Sequence, residues 1–316
     1  MIQPLSGLKV LDFSTTLPGP LATLMLAEAG ATVIKVERSD GGDPGRFNKP
    51  QIADESLQFA MLNKGKRSLA VDLKSPAERD AVLKLAAGAD VLIDQFRPGV
   101  MERLGLGYGA VSALNPRIVY CAITGFGQTG PNAQRAGHDL TYLARNGLLS
   151  LGGAEGGALA LPPALIADLG GGTYPAVINI LLALAQRQRT GQGSFLDIAM
   201  AEQGFPWISR QLAVLTHDGA APRPGESSHT GGTPRYALHR ASDGKYIAVA
   251  AIEAKFWRNF CDTIDLPETL RDPGADKAQV HAAIAERIGA HPSDHWAEAF
   301  AGDDFAVEVV RDLAEA

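Results

Sequence analysis

Cysteine is almost missing from this chain: Cys121 and Cys261 are the only two in 316 residues. Neither a disulfide framework nor a cysteine-based zinc site can be built from them, so no metal centre is expected. So few thiols also fit a reducing compartment. A basic excess is missing as well. Twenty-nine Lys and Arg stand against 35 Asp and Glu, a net charge of −6, which argues against a surface for nucleic acid. Local cations can still grip one small anionic ligand. Met1-Ile2-Gln3-Pro4-Leu5 lacks the basic start of a signal peptide. The longest apolar stretch, Val177 to Ala185, is broken by Asn179 and reads as too short to span a bilayer. The expectation is a soluble, cytoplasmic protein with no nucleic-acid or membrane partner.

What is present is an alternation of strand and helix patterns. Leu8 to Phe13 reads as a buried strand, followed by Ser14-Thr15-Thr16 and by Pro18-Gly19-Pro20. Leu21 to Ala29 has helical spacing and stops at Gly30. Strand patterns recur at Ala31 to Glu37, Ser68 to Asp72, Asp90 to Asp94, Arg117 to Thr124 and Ser194 to Ile198. Ser75-Pro76-Ala77-Glu78 opens a helix between two of them, with proline at its first position. Such alternation predicts an α/β fold, a Rossmann-like parallel sheet covered by helices. Ligands then bind at the carboxyl ends of the strands, where Ser14, Arg38, Gln95 and Thr124 fall. Gly, Pro, Ser and His dominate 215–233, which reads as a linker between a large domain, 1–214, and a small one, 234–316. The small domain reads as α+β: a hairpin over Tyr236 to Ala250, then helices at Ala254 to Ile264, Lys277 to Gly289 and Pro292 to Ala301.

Three groups carry chemistry. His138 sits in Gly137-His138-Asp139, Asp168 follows thirty positions later, and Glu253 lies in Ala250-Ala251-Ile252-Glu253. A histidine and an aspartate brought together can move a proton to and from an acidic carbon. Each residue also has a plain structural reading. His138 beside Asp139 can be a hydrogen-bonded pair, Asp168 can cap a helix beginning at Gly170, and Glu253 can be a first-turn acid. Yet Gly170-Gly171-Gly172 is a poor helix start, since each glycine costs roughly 1 kcal/mol against alanine. Glycines there suit close approach of a ligand and N–H groups turned toward negative charge.

The words Gly137-His138-Asp139-Leu140-Thr141-Tyr142, Ile166-Ala167-Asp168-Leu169-Gly170-Gly171-Gly172 and Ala251-Ile252-Glu253-Ala254-Lys255-Phe256 resemble the α-methylacyl-CoA racemase branch of the family III CoA-transferase superfamily. Arg97 to Gly105, Gly125 to Pro131 and Thr190-Gly191-Gln192-Gly193 resemble the superfamily as a whole, and the likeness runs from Pro4 to about Asp312. In the racemases the matches of His138 and Asp168 exchange the proton, and the match of Glu253 assists the histidine. In the transferases the match of Asp168 is a nucleophile, and the match of His138 is usually another residue. The resemblance further implies a CoA site from Arg38, Val71, Lys74, Gln95, Arg97, Arg103, Gly137, Asp139 and Tyr142.

The implied reaction interconverts the R and S forms of a 2-methylacyl-CoA thioester through an enolate, as a step of fatty-acid (lipid) metabolism. CoA is part of the substrate, and no prosthetic group is called for. The implied assembly is a homodimer of interlocked chains, with Glu253 reaching the partner's site. A CoA-transferase is the nearest rival, and a non-catalytic acyl-CoA-binding protein the second. Two departures from the racemase pattern stand out. Thr230-Gly231-Gly232-Thr233-Pro234-Arg235 carries an extra cation, and the family's return segment to the large domain is expected to be absent after Phe305 to Val310.

Overall fold

The computed structural model describes residues 2–154, 156–302 and 304–316, so Met1 lies outside the described residues. In chain order the strands are β1 (Lys9–Asp12), β2 (Thr32–Arg38), β3 (Gln51–Ile52), β4 (Glu55–Ser56), β5 (Arg67–Val71), β6 (Val91–Asp94), β7 (Val119–Thr124) and β8 (Ser194–Ala199). Then follow β9 (Ala237–Arg240), β10 (Tyr246–Val249) and β11 (Val307–Val309). Two compact units result. One holds the chain up to Leu148 and from Pro162 to Ile208; the other holds Leu149 to Leu161 and Ser209 to Ala316.

The first unit is built on a parallel sheet of six strands in the order β5-β2-β1-β6-β7-β8. β6 and β7 are buried along their whole length, as strands covered on both faces must be. The order reverses between β1 and β6, and that reversal leaves a crevice at the carboxyl ends. Thr190-Gly191-Gln192-Gly193 serves the sheet. Gly191 takes φ +71° to end the helix Tyr174–Thr190. A Cβ at Gly193 would lie 1.9 Å from the Ile118 carbonyl oxygen, so only glycine lets β8 come up beside β7.

The helix Tyr174–Thr190 continues a wider, π-helical turn over Ala167–Thr173. Together they make 24 residues, long and apolar enough by length and composition to cross a membrane. This corrects the shorter stretch read from the sequence, which ran from Val177 to Ala185 and left out the glycines. Some 56% of its most apolar window is buried inside the protein. Ala176, Val177, Ile180 and Leu184 supply that inner face, which packs on the sheet and on the helix Pro18–Glu28.

The second unit is α+β. Its antiparallel sheet, β11-β10-β9, packs on the helices Ala254–Thr263, Lys277–Gly289 and Ser293–Ala299 through Ile247, Trp257, Phe260, Ile284 and Trp296. The chain over 215–233 begins inside a further helix, Ser209–Asp218, before it turns to coil.

Behind the crevice lies a cluster of buried charges. Asp12 ends β1 with its carboxylate fully buried, accepting from the Ser14 hydroxyl, from Thr23 Oγ1 at 2.6 Å and from Lys66 Nζ at 3.2 Å. Lys35, in the middle of β2, pairs with Asp43 at 2.9 Å and donates to the Ser14 carbonyl at 2.7 Å. Burial alone would raise the Asp12 carboxyl. Lys35, Lys66 and the two hydroxyls outweigh it and hold the group below its ordinary 3.8. The stability it contributes is therefore present above about pH 4 and is lost as pH falls through the lower folded value. Lys66→Met should cost about 3 kcal/mol or more, because it leaves a buried carboxylate short of a partner. Urea unfolding at pH 7 checks this: the midpoint falls with the slope unchanged, and the deficit shrinks on acidification as Asp12 becomes protonated.

Candidate functional site

Two cavities sit side by side at the carboxyl edge of the parallel sheet, both within the first unit. The first, about 550 Å³, is lined by the loop after β1 (Thr15 to Pro18), the loop after β6 (Gln95 to Pro98), Thr124 and Gly125 after β7, Met200 after β8, and the segment from Ala133 to Asp139. His138, Asp168 and Tyr142 all face this space. The second, about 530 Å³, is lined by Arg38 to Asp40 and Gly42 to Pro44 after β2, by Val71 to Lys74 after β5, and by Leu104. Thr15 and Phe96 border both.

His138 caps the helix Asp139–Asn146 from an extended backbone, φ −136° and ψ 172°. Thr141 fixes it there. Its hydroxyl accepts from the His138 N–H at 3.0 Å and donates to the His138 carbonyl at 2.8 Å. The imidazole is exposed at the cavity, and Asp139 turns the other way, into the protein. The two do not form the side-chain pair that their adjacency suggested.

Asp168 is not a helix cap. Ile166, two residues before it, is already helical, and Asp168 lies inside the π-helical turn with its carboxylate half-buried at the cavity. Turns of this kind concentrate at functional sites. Its backbone N–H donates to Asp139 Oδ2 at 3.0 Å. Burial, then the neighbouring Asp139 carboxylate, push the Asp168 carboxyl up to about 6, against the opposing pull of His138.

The three glycines after Asp168 serve packing and not ligand approach, which corrects the reading made from sequence. A Cβ at Gly170 would lie 2.4 Å from the Trp207 ring, and one at Gly171 would lie 2.4 Å from the Met200 carbonyl oxygen. At Gly172 it would crowd the Met200 side chain at 3.1 Å. Protein atoms occupy the space on all three. Two other glycines do shape the cavity wall. Tyr142 fits between Gly125 and Gly137, whose Cβ atoms would stand 2.6 and 2.4 Å from its ring, and its hydroxyl donates to the Gly137 carbonyl at 2.7 Å. Burial, followed by Asp168, raises the Tyr142 hydroxyl to about 12, with Arg97 acting the other way.

The residues read as a CoA site divide between the cavities. Gln95, Arg97, Gly137, Asp139 and Tyr142 line the first; Arg38, Val71 and Lys74 line the second. Gln95 Oε1 is already engaged, accepting from the Gly19 N–H at 3.0 Å. Arg38 forms a two-pronged pair with Asp40. Arg103 is exposed on the short helix Val100–Arg103 and lines neither cavity, although the next residue, Leu104, lines the second. Glu253 belongs to the second unit, where it is exposed at the N-terminus of the helix Ala254–Thr263 without capping it by its side chain. Nearby, Arg235 donates to the Ile252 carbonyl at 3.1 Å and stacks over Trp257 at 5.0 Å, so the extra cation of that segment holds the turn before Glu253.

Sequence reading missed the buried charges that hold the loop after β1. Lys35 between Ile34 and Val36, and Asp12 after Leu11, are charges inside otherwise apolar strands. That pattern is the feature by which they could have been found. It also missed Arg135, a cation on the wall of the first cavity.

Comparison with known proteins agrees with this architecture. The chain is 32% identical over 322 residues to an acetyl-CoA:oxalate CoA-transferase of Acetobacter aceti, covering 99% of this chain and 82% of that one. It is 37% identical over 277 residues to the human succinyl-CoA:glutarate CoA-transferase, covering 85% of this chain and 61% of the relative. To the human α-methylacyl-CoA racemase it is 34% identical over 321 residues, covering 98% and 78%. A CaiB/BaiF-family protein of Brucella suis superposes with a TM-score of 0.85 at 30% identity, covering 100% of this chain and 86% of that structure. The family model described as CoA-transferase family III matches residues 5–316. This chain belongs to CoA-transferase family III.

Proposed function

We propose that the protein is a racemase of 2-methylacyl-CoA thioesters, acting by 1,1-proton transfer at the α-carbon. The observation that carries this reading is the meeting of His138 and Asp168 on one cavity wall, with the Asp168 carboxyl raised to about 6. A carboxyl near 6 can both take and return a proton near neutrality, which one of ordinary value does poorly. His138 exchanges the proton on one face of the α-carbon and Asp168 on the other. The acyl-CoA lies along the carboxyl edge, with its thioester in the first cavity and its nucleotide end toward Arg38 and Lys74 in the second. Glu253 of the partner subunit assists His138, and the protein works as a cytoplasmic homodimer in fatty-acid metabolism. The exposed apolar strip of Tyr174, Ile178, Leu181 and Leu182 supports the pairing of two copies.

Transferase chemistry is the second reading, favoured by the names of two of the three relatives. There Asp168 attacks the thioester to form an acyl-aspartyl anhydride and expel the CoA thiolate. The thiolate then attacks the aspartyl carbonyl, releasing the donor carboxylate and leaving CoA on Asp168 as a thioester. Incubation with a branched acyl-CoA in heavy water separates the two. Loss of the α-proton resonance without added acid supports the racemase. Transfer of CoA to a free carboxylic acid, with hydroxylamine trapping of Asp168 seen by mass spectrometry, replaces it with the transferase. Neither event leaves a protein that only binds acyl-CoA.

Two outcomes follow for the racemase. His138→Ala should slow α-proton exchange by on the order of 10²-fold or more while the fold stays intact by circular dichroism. The working pair holds one proton between His138 and Asp168, so kcat/KM should rise with pH as the second leaves, along a limb near pH 6. The R and S substrates should give the same limb, because a racemisation equilibrium does not vary with pH. Stopped-time assays across pH 4.5–8, roughly the span over which a group near 6 titrates, check this for both enantiomers.

A further inference from the structure

We infer that the Asp139 side chain is a positioning group for Asp168, setting both its place and its basicity. The inference rests on the reading of Asp168 as the group whose ionisation the reaction needs. Asp139 is 6% exposed, although its neighbours His138 and Leu140 stand open. Its Oδ2 is bound to the Asp168 backbone N–H at 3.0 Å, tying the helix Asp139–Asn146 to the π-helical turn. A carboxylate held against the peptide of another carboxylate opposes ionisation of the second group. It also keeps the turn from rotating, since the tie is made to Asp168 itself.

The remaining charged groups around the turn leave this role to Asp139. His138, on the cavity wall, favours the ionised form of Asp168, and Arg97 and Arg135 share that wall. Tyr142 bonds to the Gly137 carbonyl. The helix Pro18–Glu28 carries one titratable group, Glu28, at its far end. In β8, Asp197 is bound to the Gln128 N–H at 2.9 Å, and Glu202 lines a separate cavity. Along the helix Tyr174–Thr190, Tyr174 is exposed, Arg187 is paired with Asp90 and Arg189 lies in the last turn. Asp139 is thus the anion in direct contact with Asp168.

The test is a carbon-13 NMR titration of the aspartate carboxyls in the full-length protein, with the Asp168 signal assigned by its loss in Asp168→Asn. Asp139→Asn keeps an oxygen to accept the 3.0 Å bond and removes the charge. The Asp168 midpoint should then fall by roughly one unit, the lower end for a like charge at contact. The acid limb of kcat/KM should move down by the same amount, and KM should change less than twofold. Asp139→Ser, small and uncharged, should shift the midpoint in the same direction and serves if the asparagine variant does not fold. An unchanged Asp168 midpoint in both variants overturns the proposal. So does a raised KM for acyl-CoA with the pH profile unmoved, because that marks Asp139 as a substrate contact. The titration needs no turnover, so loss of the racemase reading would leave this result standing on its own.

Discussion

Asp12, Lys35, Asp43 and Lys66 meet behind the crevice where the strand order reverses, and the loop after β1 hangs on them. Each is almost wholly removed from water. Isolated, any one of these charges would be too costly to bury; together they are paired and hydrogen-bonded. Asp43 also accepts from the Thr16 N–H at 3.2 Å, holding a residue with φ +69° that no β-branched side chain adopts readily. Arg46 forks onto Glu37, which in turn accepts from the Asp43 N–H and the Ser68 hydroxyl. The network thus fixes Thr15 to Pro18, which border the reacting cavity, to the β2 loop that borders the other.

A second layer of constraint lies around Asp168. The π-helical turn is held from one side by Asp139 and from the other by Met200 and Trp207, which fill the space that side chains at 170–172 would need. Close packing of this kind leaves the carboxylate little freedom, and precise placement is what proton transfer and nucleophilic attack both require. The same frame can therefore serve either chemistry. What differs is the partner group: a histidine lining the same cavity suits proton exchange, and an acid kept near 6 suits a group that must both take and give.

Much of the fold was legible because its strands are short apolar runs punctuated by glycine and proline. The strand at Asp90 to Asp94 and the helix at Lys277 to Gly289 stand within a residue of where the pattern put them. The helix Asp139–Asn146 was not read, since its start is capped by a histidine and its inner face is made by Asp139, Tyr142 and Asn146 as well as Leu143. Gly170 to Gly172 were read as an opening for a ligand because a sequence does not say what stands opposite a missing Cβ. Here it is Trp207 and Met200, 28 to 37 residues further along the chain. The tie from Asp139 to the Asp168 turn was not legible either, because its burial and its bond to a backbone N–H twenty-nine residues on are tertiary facts. The placing of a ligand site at the carboxyl edge, by contrast, followed from the alternation of strand and helix, which needs only local patterns.

The central claim is that two different groups exchange the proton on opposite faces of one carbon. The most direct measurement follows a single enantiomer of a 2-methylacyl-CoA in heavy water, resolving both enantiomers by chiral separation and mass spectrometry in the first few per cent of reaction. Two bases predict deuterium in the product enantiomer from the first turnover, while the remaining substrate stays largely unlabelled. Label appearing equally in both enantiomers would mean one base serving both faces. No label at all, with CoA passed to an added carboxylic acid, would contradict the account outright.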